Sequence, residues 1–280
     1  MLFRVYFDSM PVERKRRTES ASDEPSRPRA HQNFSKVNGT VLVEGMVTKS
    51  DANELIDYKC KLVKESMPDQ NSNLPPMKPQ DYSEAEDWPG YFAAVLGKDA
   101  RDTLIAALDS FAREGFNGGF AVDVAAGEGR DTLALLNRGW RVLATDSEPR
   151  AFSFLLPRVP EDLKPLLTTI EVKFDRMQIP QCDLVNASFA LPFCEPIHFS
   201  DLWKKIVAAI RPGGRFAGQF FGKRDTWASL PNRSHHSKEE VLKLLEGFEI
   251  EMMREEEKDD PPDVRSPKHW QLFHVVARKY

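Results

Sequence analysis

From Ala100 onward, apolar and polar positions follow two alternating periods. Leu104, Ile105, Leu108, Phe111 and Ala112 recur at helical spacing and predict an amphipathic helix over Ala100–Ala112, ended by Gly118-Gly119. Phe120–Val124 is a short apolar run and predicts a strand. Thr132–Leu136 is helical and closes at Gly139, a fitting C-terminal cap. The alternation then repeats: strand Arg141–Thr145, helix Ala151–Leu156, strands Thr169–Phe174 and Asp183–Ala187, and helix Trp203–Ile210. Pro212-Gly-Gly214 stops that helix, and the strand Arg215–Phe221 follows. Strands alternating with helices imply an α/β fold, a mostly parallel sheet covered by helices on both faces. The end of the chain breaks the pattern. After a helix at Lys238–Leu245, two strand-like runs, Phe248–Met253 and Trp270–Arg278, are separated by an acidic, Pro-rich loop and no helix. They should pair as an antiparallel C-terminal hairpin.

Residues 1–80 differ in character and read as a flexible or partly disordered extension to a folded domain over 81–280. Thr18–Ser35 has almost no large hydrophobes and reads as disordered. Val41-Leu-Val43 suggests a short strand, Asn53–Lys64 a loose helix, and Pro68–Pro79 a linker. The basic run Arg14-Lys-Arg-Arg17 is either a nuclear address or nucleic-acid contact, or a solvated piece of tail.

Composition narrows the class. The 280 residues are 41% hydrophobic and 29% charged, with a formal net charge of −4, so ample core is available and no overall basic footprint exists. Nucleic acid is therefore disfavoured as a partner. Three cysteines, Cys60, Cys182 and Cys194, form no CxxC pair; this fits a reducing compartment and argues against disulfides and a zinc site. No apolar run reaches the roughly 18 residues of a membrane span, and no signal-peptide pattern opens the chain. A cytoplasmic location with no membrane partner is expected, and no metal.

The chemistry turns on Val122-Asp-Val-Ala-Ala-Gly127-Glu-Gly129-Arg-Asp-Thr132, where a strand runs through small residues and glycines into a helix. Glycine lets backbone approach a ligand where a Cβ would block it. The loop sits at the carboxyl end of its strand, where open α/β sheets bind ligands. Asp146 closes the next strand, roughly 20 positions downstream, placed to accept hydrogen bonds from ribose hydroxyls. A dinucleotide site would want a third Gly or Ala where Thr132 stands, to pack its helix against a pyrophosphate. S-adenosylmethionine carries no phosphate and needs no such residue, so the sequence favours the methyl donor over NAD(P).

Asp123–Gly129 resembles the glycine-rich first motif of class I S-adenosylmethionine-dependent methyltransferases, with Ala125-Ala126 where Gly-Cys or Gly-Thr is usual. Leu202–Gln219, with its Arg211-Pro-Gly-Gly214 turn, resembles the late helix-turn-strand of that superfamily. Gly129-Arg-Asp-Thr132, Asn186-Ala-Ser-Phe-Ala-Leu-Pro-Phe193, Gly218-Gln-Phe-Phe-Gly222 and Lys268-His-Trp270 look like a small bacterial-type group related to the tellurite-resistance and thiopurine-type enzymes. The resemblance spans about residues 81–280 and implies a Rossmann-like, seven-stranded sheet with S-adenosylmethionine as cofactor. It places Asp123 and Gly127 near the donor's methionine part and Asp146 on the ribose, with Ala125, Glu128, Gly129 and Ser147 also binding the cofactor. Phe174 and Asp175 would flank the adenine, and the backbone around Asn186 the amino group.

The acceptor is less legible. Asn186-Ala-Ser-Phe189 imitates the Asn-Pro-Pro-Phe signature of exocyclic-amine methyltransferases without its prolines, or is a strand-end Asn beside the cofactor. His235 and His236 are candidate bases, since an imidazole titrates near neutrality, although Ser237-x-x-Glu240 explains the adjoining helix start as a capping box. Gln219 ends the fifth strand on the ligand side and is the third catalytic candidate. Trp270 and His274 share one face of the last strand. With no basic groove evident, the expected reaction is methyl transfer to a small molecule or oxyanion rather than to a polymer. Three alternatives stand beside it: a nucleic-acid or protein methyltransferase, an NAD(P)-dependent oxidoreductase, and a non-catalytic Rossmann-like binding module.

Overall fold

The computed structural model describes residues 33–37, 40–44, 75–262 and 264–280. The chain divides into two units, Met1–Ser72 and Asn73–Tyr280. In the first, β1 (Asn33–Val37) and β2 (Thr40–Glu44) pair antiparallel, with Phe34 opposite Val43. The strand expected at Val41–Val43 lies within β2. Asn33–Ser35, expected to be disordered, is strand, because the β-branched run that follows gives its backbone a partner. The basic run Arg14–Arg17, the rest of Thr18–Ser35 and the loose helix at Asn53–Lys64 lie outside the described residues.

The second unit opens with α1 (Pro79–Glu84), α2 (Trp88–Val95) and α3 (Asp102–Arg113). The alternation follows: β3 (Phe120–Val124), α4 (Arg130–Asn137), β4 (Arg141–Asp146), α5 (Ala151–Leu155), β5 (Leu167–Glu171) and β6 (Cys182–Ala187). It ends with α6 (Pro196–Ala209), β7 (Ile210–Gly222), β8 (His235–His236), α7 (Lys238–Leu244), β9 (Phe248–Asp259) and β10 (His269–Lys279). Seven strands lie in the order β5-β4-β3-β6-β7-β10-β9, and the two-residue β8 pairs with the end of β7. Neighbours from β5 to β7 are parallel, while β10 runs antiparallel to both β7 and β9. This is the Rossmann-like arrangement with an antiparallel C-terminal pair. The last strand does not simply add to the edge; it inserts between β7 and β9.

Alternate residues of each strand face opposite sides of the sheet, so two cores form. Val122, Val185, Phe216 and Phe220 pack against Trp203 and Ile206 of α6 on one face. Ala121, Leu184 and Ala217 pack against Leu104 of α3, Leu135 of α4 and Trp140 on the other. Strand order reverses between β3 and β6, and a crevice opens there beyond their carboxyl ends, the usual place for a ligand in such sheets.

Some element limits differ from expectation. Strand β5 ends at Glu171, and Phe174–Arg176 is a separate 3₁₀ turn, so Phe174 and Asp175 lie past the strand rather than at its tip. Helix α6 begins seven residues early, at Pro196, where proline's fixed φ suits the first helical position. Strand β9 continues to Asp259 through Glu255-Glu256-Glu257, which the sequence presents as a loop. Cationic neighbours explain it: Arg224 bonds Glu255 and Glu257, and Lys258 pairs with Glu256.

Candidate functional site

Between β3 and α4 the backbone enters the left-handed region three times, at Ala125 (φ 53°), Gly127 (φ 58°) and Gly129 (φ 85°). Gly129 is required twice over: its φ disfavours any side chain, and a Cβ there would come within 2.9 Å of Leu155 Cγ. Ala125 holds the same conformation with a methyl group, at a small cost in strain. The twist presents backbone N–H groups to the adjoining strand. Ala126 N–H donates to the Thr145 carbonyl at 2.8 Å, and Gly127 N–H donates to Asp146 Oδ2 at 2.8 Å. Asp146 Oδ1 accepts from Glu148 N–H at 2.9 Å. Each carboxylate oxygen offers two lone pairs, so both oxygens keep acceptor capacity. Gly127 and Asp146 thus meet at the mouth of the crevice.

Behind the loop lies a buried carboxylate cluster. Asp123 Oδ1 accepts from Asn186 Nδ2 at 2.8 Å, and Oδ2 from Thr132 Oγ1 at 2.5 Å. The same Asn186 amide donates to Asp131 Oδ2 at 3.0 Å, and Asp131 Oδ1 accepts from Arg101 N–H at 2.9 Å. Thr132, in the place where a dinucleotide site would carry Gly or Ala, therefore holds a carboxylate. Burial, reinforced by the nearby Asp131 carboxylate, raises the Asp123 pKa to about 7 against the bonds from Thr132 and Asn186. An acid with a folded pKa above its unfolded one holds a proton in the native state that the unfolded chain has lost. Its contribution is present below about pH 4 and is lost as pH rises through about 7. Asp123→Asn should remove that dependence: the stability difference between variant and wild type, followed by urea unfolding, should shift in the variant's favour by a few kcal/mol from pH 4 to pH 8. A difference that stays flat with pH would contradict the assignment.

After β6 the chain turns sharply at Phe189, whose φ of 52° is strained for an aromatic residue. Gln219 on β7 holds this turn: its Oε1 accepts Phe189 N–H at 2.8 Å, and its Nε2 donates to Thr103 Oγ1 at 2.9 Å. The Arg101 guanidinium covers the Phe189 ring, 4.2 Å from its centre. Gln219 lines the crevice, yet both ends of its amide are engaged, so it positions the turn and does not act as a base.

The crevice widens into a cleft of about 1010 Å³. Asp123, Ala125, Gly127, Glu128, Asp146 and Ser147 line one end, with Phe174 and Asp175 beside them. Glu128 is buried, pairs with Arg130 at 2.8 Å and has its pKa raised by burial. The far floor is one face of the C-terminal sheet. Leu272 lies opposite Phe221 and Glu256, and His274 opposite Gln219 and Arg254; all six of these side chains reach the cleft. His274 is 6% exposed, and its Nε2 lies 3.1 Å from Glu256 Oε2. Burial lowers the His274 pKa, which keeps the ring neutral at pH 7. This pair is invisible to local sequence patterns because its members lie on different strands; only the register of β9 against β10 joins them.

Other candidates fall elsewhere. Asn186 is fully buried and does not line the cleft, so its amide cannot grip an acceptor amine as an Asn-Pro-Pro-Phe asparagine does. His235 and His236 line a separate cavity of about 490 Å³. His236 packs 4.3 Å from the Phe199 ring, and burial lowers its pKa to about 4. His235 sits against Phe221 with Nε2 3.9 Å from Asp225, beyond hydrogen-bond reach. Both are corrected from candidate bases to packing residues. Cys182 and Cys194 are buried thiols pushed up to about 12 by desolvation, so neither is a nucleophile. Among the described residues no cluster of His, Cys, Asp and Glu is arranged to hold a metal, and no helix is long and apolar enough to cross a membrane.

Residues 122–218 match the family model of a methyltransferase domain. No curated protein matches the sequence. Solved structures resemble it at low identity. TehB from Haemophilus influenzae is 15% identical with a TM-score of 0.54, over 69% of this chain and 67% of TehB. A Listeria monocytogenes protein assigned as an S-adenosylmethionine-dependent methyltransferase is 17% identical with a TM-score of 0.50, over 63% and 96% of the two chains. The 1,6-didemethyltoxoflavin N1-methyltransferase of Burkholderia thailandensis, with S-adenosylhomocysteine bound, is 20% identical with a TM-score of 0.48, over 74% and 92%. At these identities the structural likeness is one of fold. Residues 122–218, with the glycine loop, its acidic partner and the strand order in place, therefore form a methyltransferase domain.

Proposed function

We propose that the chain methylates a small molecule, with the cofactor lying from Asp123 past Gly127 to Asp146 and the acceptor over the sheet face that carries His274. One observation carries this reading: the Gly127–Asp146 contact and the His274–Glu256 pair open onto the same cleft. The residues suit the cofactor. Gly127 has no side chain where a Cβ would crowd Phe92 at 3.1 Å, and both Asp146 oxygens keep a free lone pair for ribose hydroxyls. Phe174 offers an aromatic surface to adenine, with Asp175 beside it, and Ser147 and Glu128 complete the rim.

When bound, S-adenosylmethionine supplies a methyl group on a sulfonium, open to in-line attack by an acceptor lone pair. The protein's part is to hold both partners in line and to take up a proton where the acceptor has one. With Nε2–H given to Glu256, the lone pair of His274 lies on Nδ1, and the Glu256 carboxylate stabilises the imidazolium that results. The cleft lining mixes acids such as Asp102, Glu195 and Asp260 with cations such as Lys98, Arg101, Lys173 and Lys258, so it is no basic groove for a phosphate backbone.

The test is transfer of labelled methyl from S-adenosylmethionine to a panel of small phenols, thiols and amines, run beside DNA, RNA and protein. Label should enter a small molecule. His274→Gln should lower kcat about 100- to 10,000-fold for an acceptor that loses a proton, and should erase the acid limb of the pH profile. Label found in a polymer, or a variant with an unchanged pH profile, would overturn the assignment.

A further inference from the structure

Away from the glycine loop the cleft ends in aromatic rings. Trp88 and Phe193 meet edge to face at 5.0 Å, Phe193 and Trp227 at 6.1 Å, and Trp270 and Phe221 at 6.2 Å, while Trp227 and Trp270 lie tilted at 5.7 Å. All five line the cleft. An aromatic box of this kind can serve two opposite ligands: a flat ring packed edge to face, or an organic cation drawn to the ring faces.

The charges built into the box decide between them. Lys268 has its ammonium 3.7 Å from the Trp270 ring centre and 4.4 Å from that of Trp227, and it is ion-paired with the buried Asp225. Lys268 does not itself line the cleft, so it sets the charge beside the box and takes no part in seating a ligand. Arg233 lies 4.7 Å over the Phe193 ring and is 7% exposed. Its guanidinium carries five N–H donors. Among the described residues it makes two long bonds, to the Asn232 carbonyl at 3.2 Å and to Glu86 at 3.3 Å, and its buried Nε has no partner. The Glu86 side chain is 56% exposed and its φ of 56° is strained, so it is a weak counter-ion for a buried charge. A buried guanidinium this poorly satisfied beside an aromatic wall is a seat for an anion.

We infer that the acceptor is a planar aromatic molecule bearing an acidic group, its ring among Trp88, Phe193, Trp227 and Trp270 and its anion on Arg233. This rests on the proposed reading that the acceptor shares the cofactor's cleft. Arg233 binds the acceptor and takes no part in proton transfer.

The inference is tested with simple probes on the full chain saturated with S-adenosylhomocysteine, whose own binding is measured first by calorimetry. Benzoate, benzamide, benzylamine and acetate are then titrated, read by calorimetry and by quenching of tryptophan fluorescence. Benzoate should bind at least about tenfold more tightly than each of the other three, because only it offers both ring and anion. In Arg233→Gln the preference for benzoate over benzamide should shrink to about twofold or less, while Arg233→Lys should keep part of it. Retained S-adenosylhomocysteine binding shows that each variant is folded, and the comparison of probes on the wild type needs no variant at all. Benzylamine binding best would make the box a cation cage, acetate matching benzoate would make it a bare oxyanion site, and no binding of benzoate would leave it without a ligand role; each overturns the inference. If S-adenosylhomocysteine binds and benzoate is not preferred, the acceptor inference alone falls; if S-adenosylhomocysteine fails to bind, the reading of the cleft falls with it.

Discussion

Gly129→Ala should destabilise the folded chain by about 2–5 kcal/mol, the sum of a left-handed conformation imposed on an L-residue and an over-packed contact with Leu155. For a unit of this size that lowers Tm by about 4–20 °C, readable in a thermal unfolding scan. Gly139→Ala is the matched comparison. It also carries a positive φ, 77°, but nothing lies within 4 Å of a Cβ there. It should cost about 1–2 kcal/mol, the conformational part alone. Equal losses at the two positions would mean that the helix α4 start is not wedged against Leu155 as described.

Asn186→Leu should be the second severe change. It removes the amide that bridges Asp123 and Asp131 and leaves two buried carboxylates facing each other across an apolar side chain. The expected cost is about 2–5 kcal/mol in urea unfolding, together with weaker cofactor binding, because Asp123 underlies the glycine loop. An asparagine that gripped an acceptor amine would behave differently. Its loss would leave stability and cofactor affinity intact and lower turnover only. The two outcomes separate a buried bridge from a catalytic amide.

The contrast between these two positions reflects what a sequence exposes. Phe120–Val124, Arg141–Thr145 and Asp183–Ala187 were legible as strands because both sheet faces are covered, and buried strands are near-continuous apolar runs. The glycine loop and Asp146 were legible because the constraint is local: one turn, one strand end. Helices α1 and α2 were not foreseen. They are short, six and eight residues, with proline in the first turn of each and Gly90 inside α2, which local patterns present as loop. The acidic end of β9 was missed for the same reason: its glutamates are satisfied by Arg224 and Lys258, and charge alone does not announce a strand. The histidines show the limit most clearly. His235 and His236 stand out in sequence as a doublet before a capping box, and the capping box is real, with Ser237 and Glu240 bonded reciprocally. Neither reaches the cleft. His274, which does, acquires its carboxylate only through the pairing of β10 with β9, eighteen residues back along the chain. Lys268-His-Trp270 likewise reads as a motif, but its physical content, a buried ammonium against Asp225 among tryptophans, needs the fold to bring Trp227 across.

The proposed seating of the cofactor's adenosyl part by Gly127 and Asp146 is checked by calorimetry with S-adenosylhomocysteine on wild type and Asp146→Ala. Wild type should bind with micromolar-scale affinity, and the variant should lose about 1–3 kcal/mol, roughly 5- to 150-fold, because the ribose hydroxyls and the Gly127 N–H lose their acceptor. Equal affinity for the two proteins would place the cofactor somewhere other than this crevice.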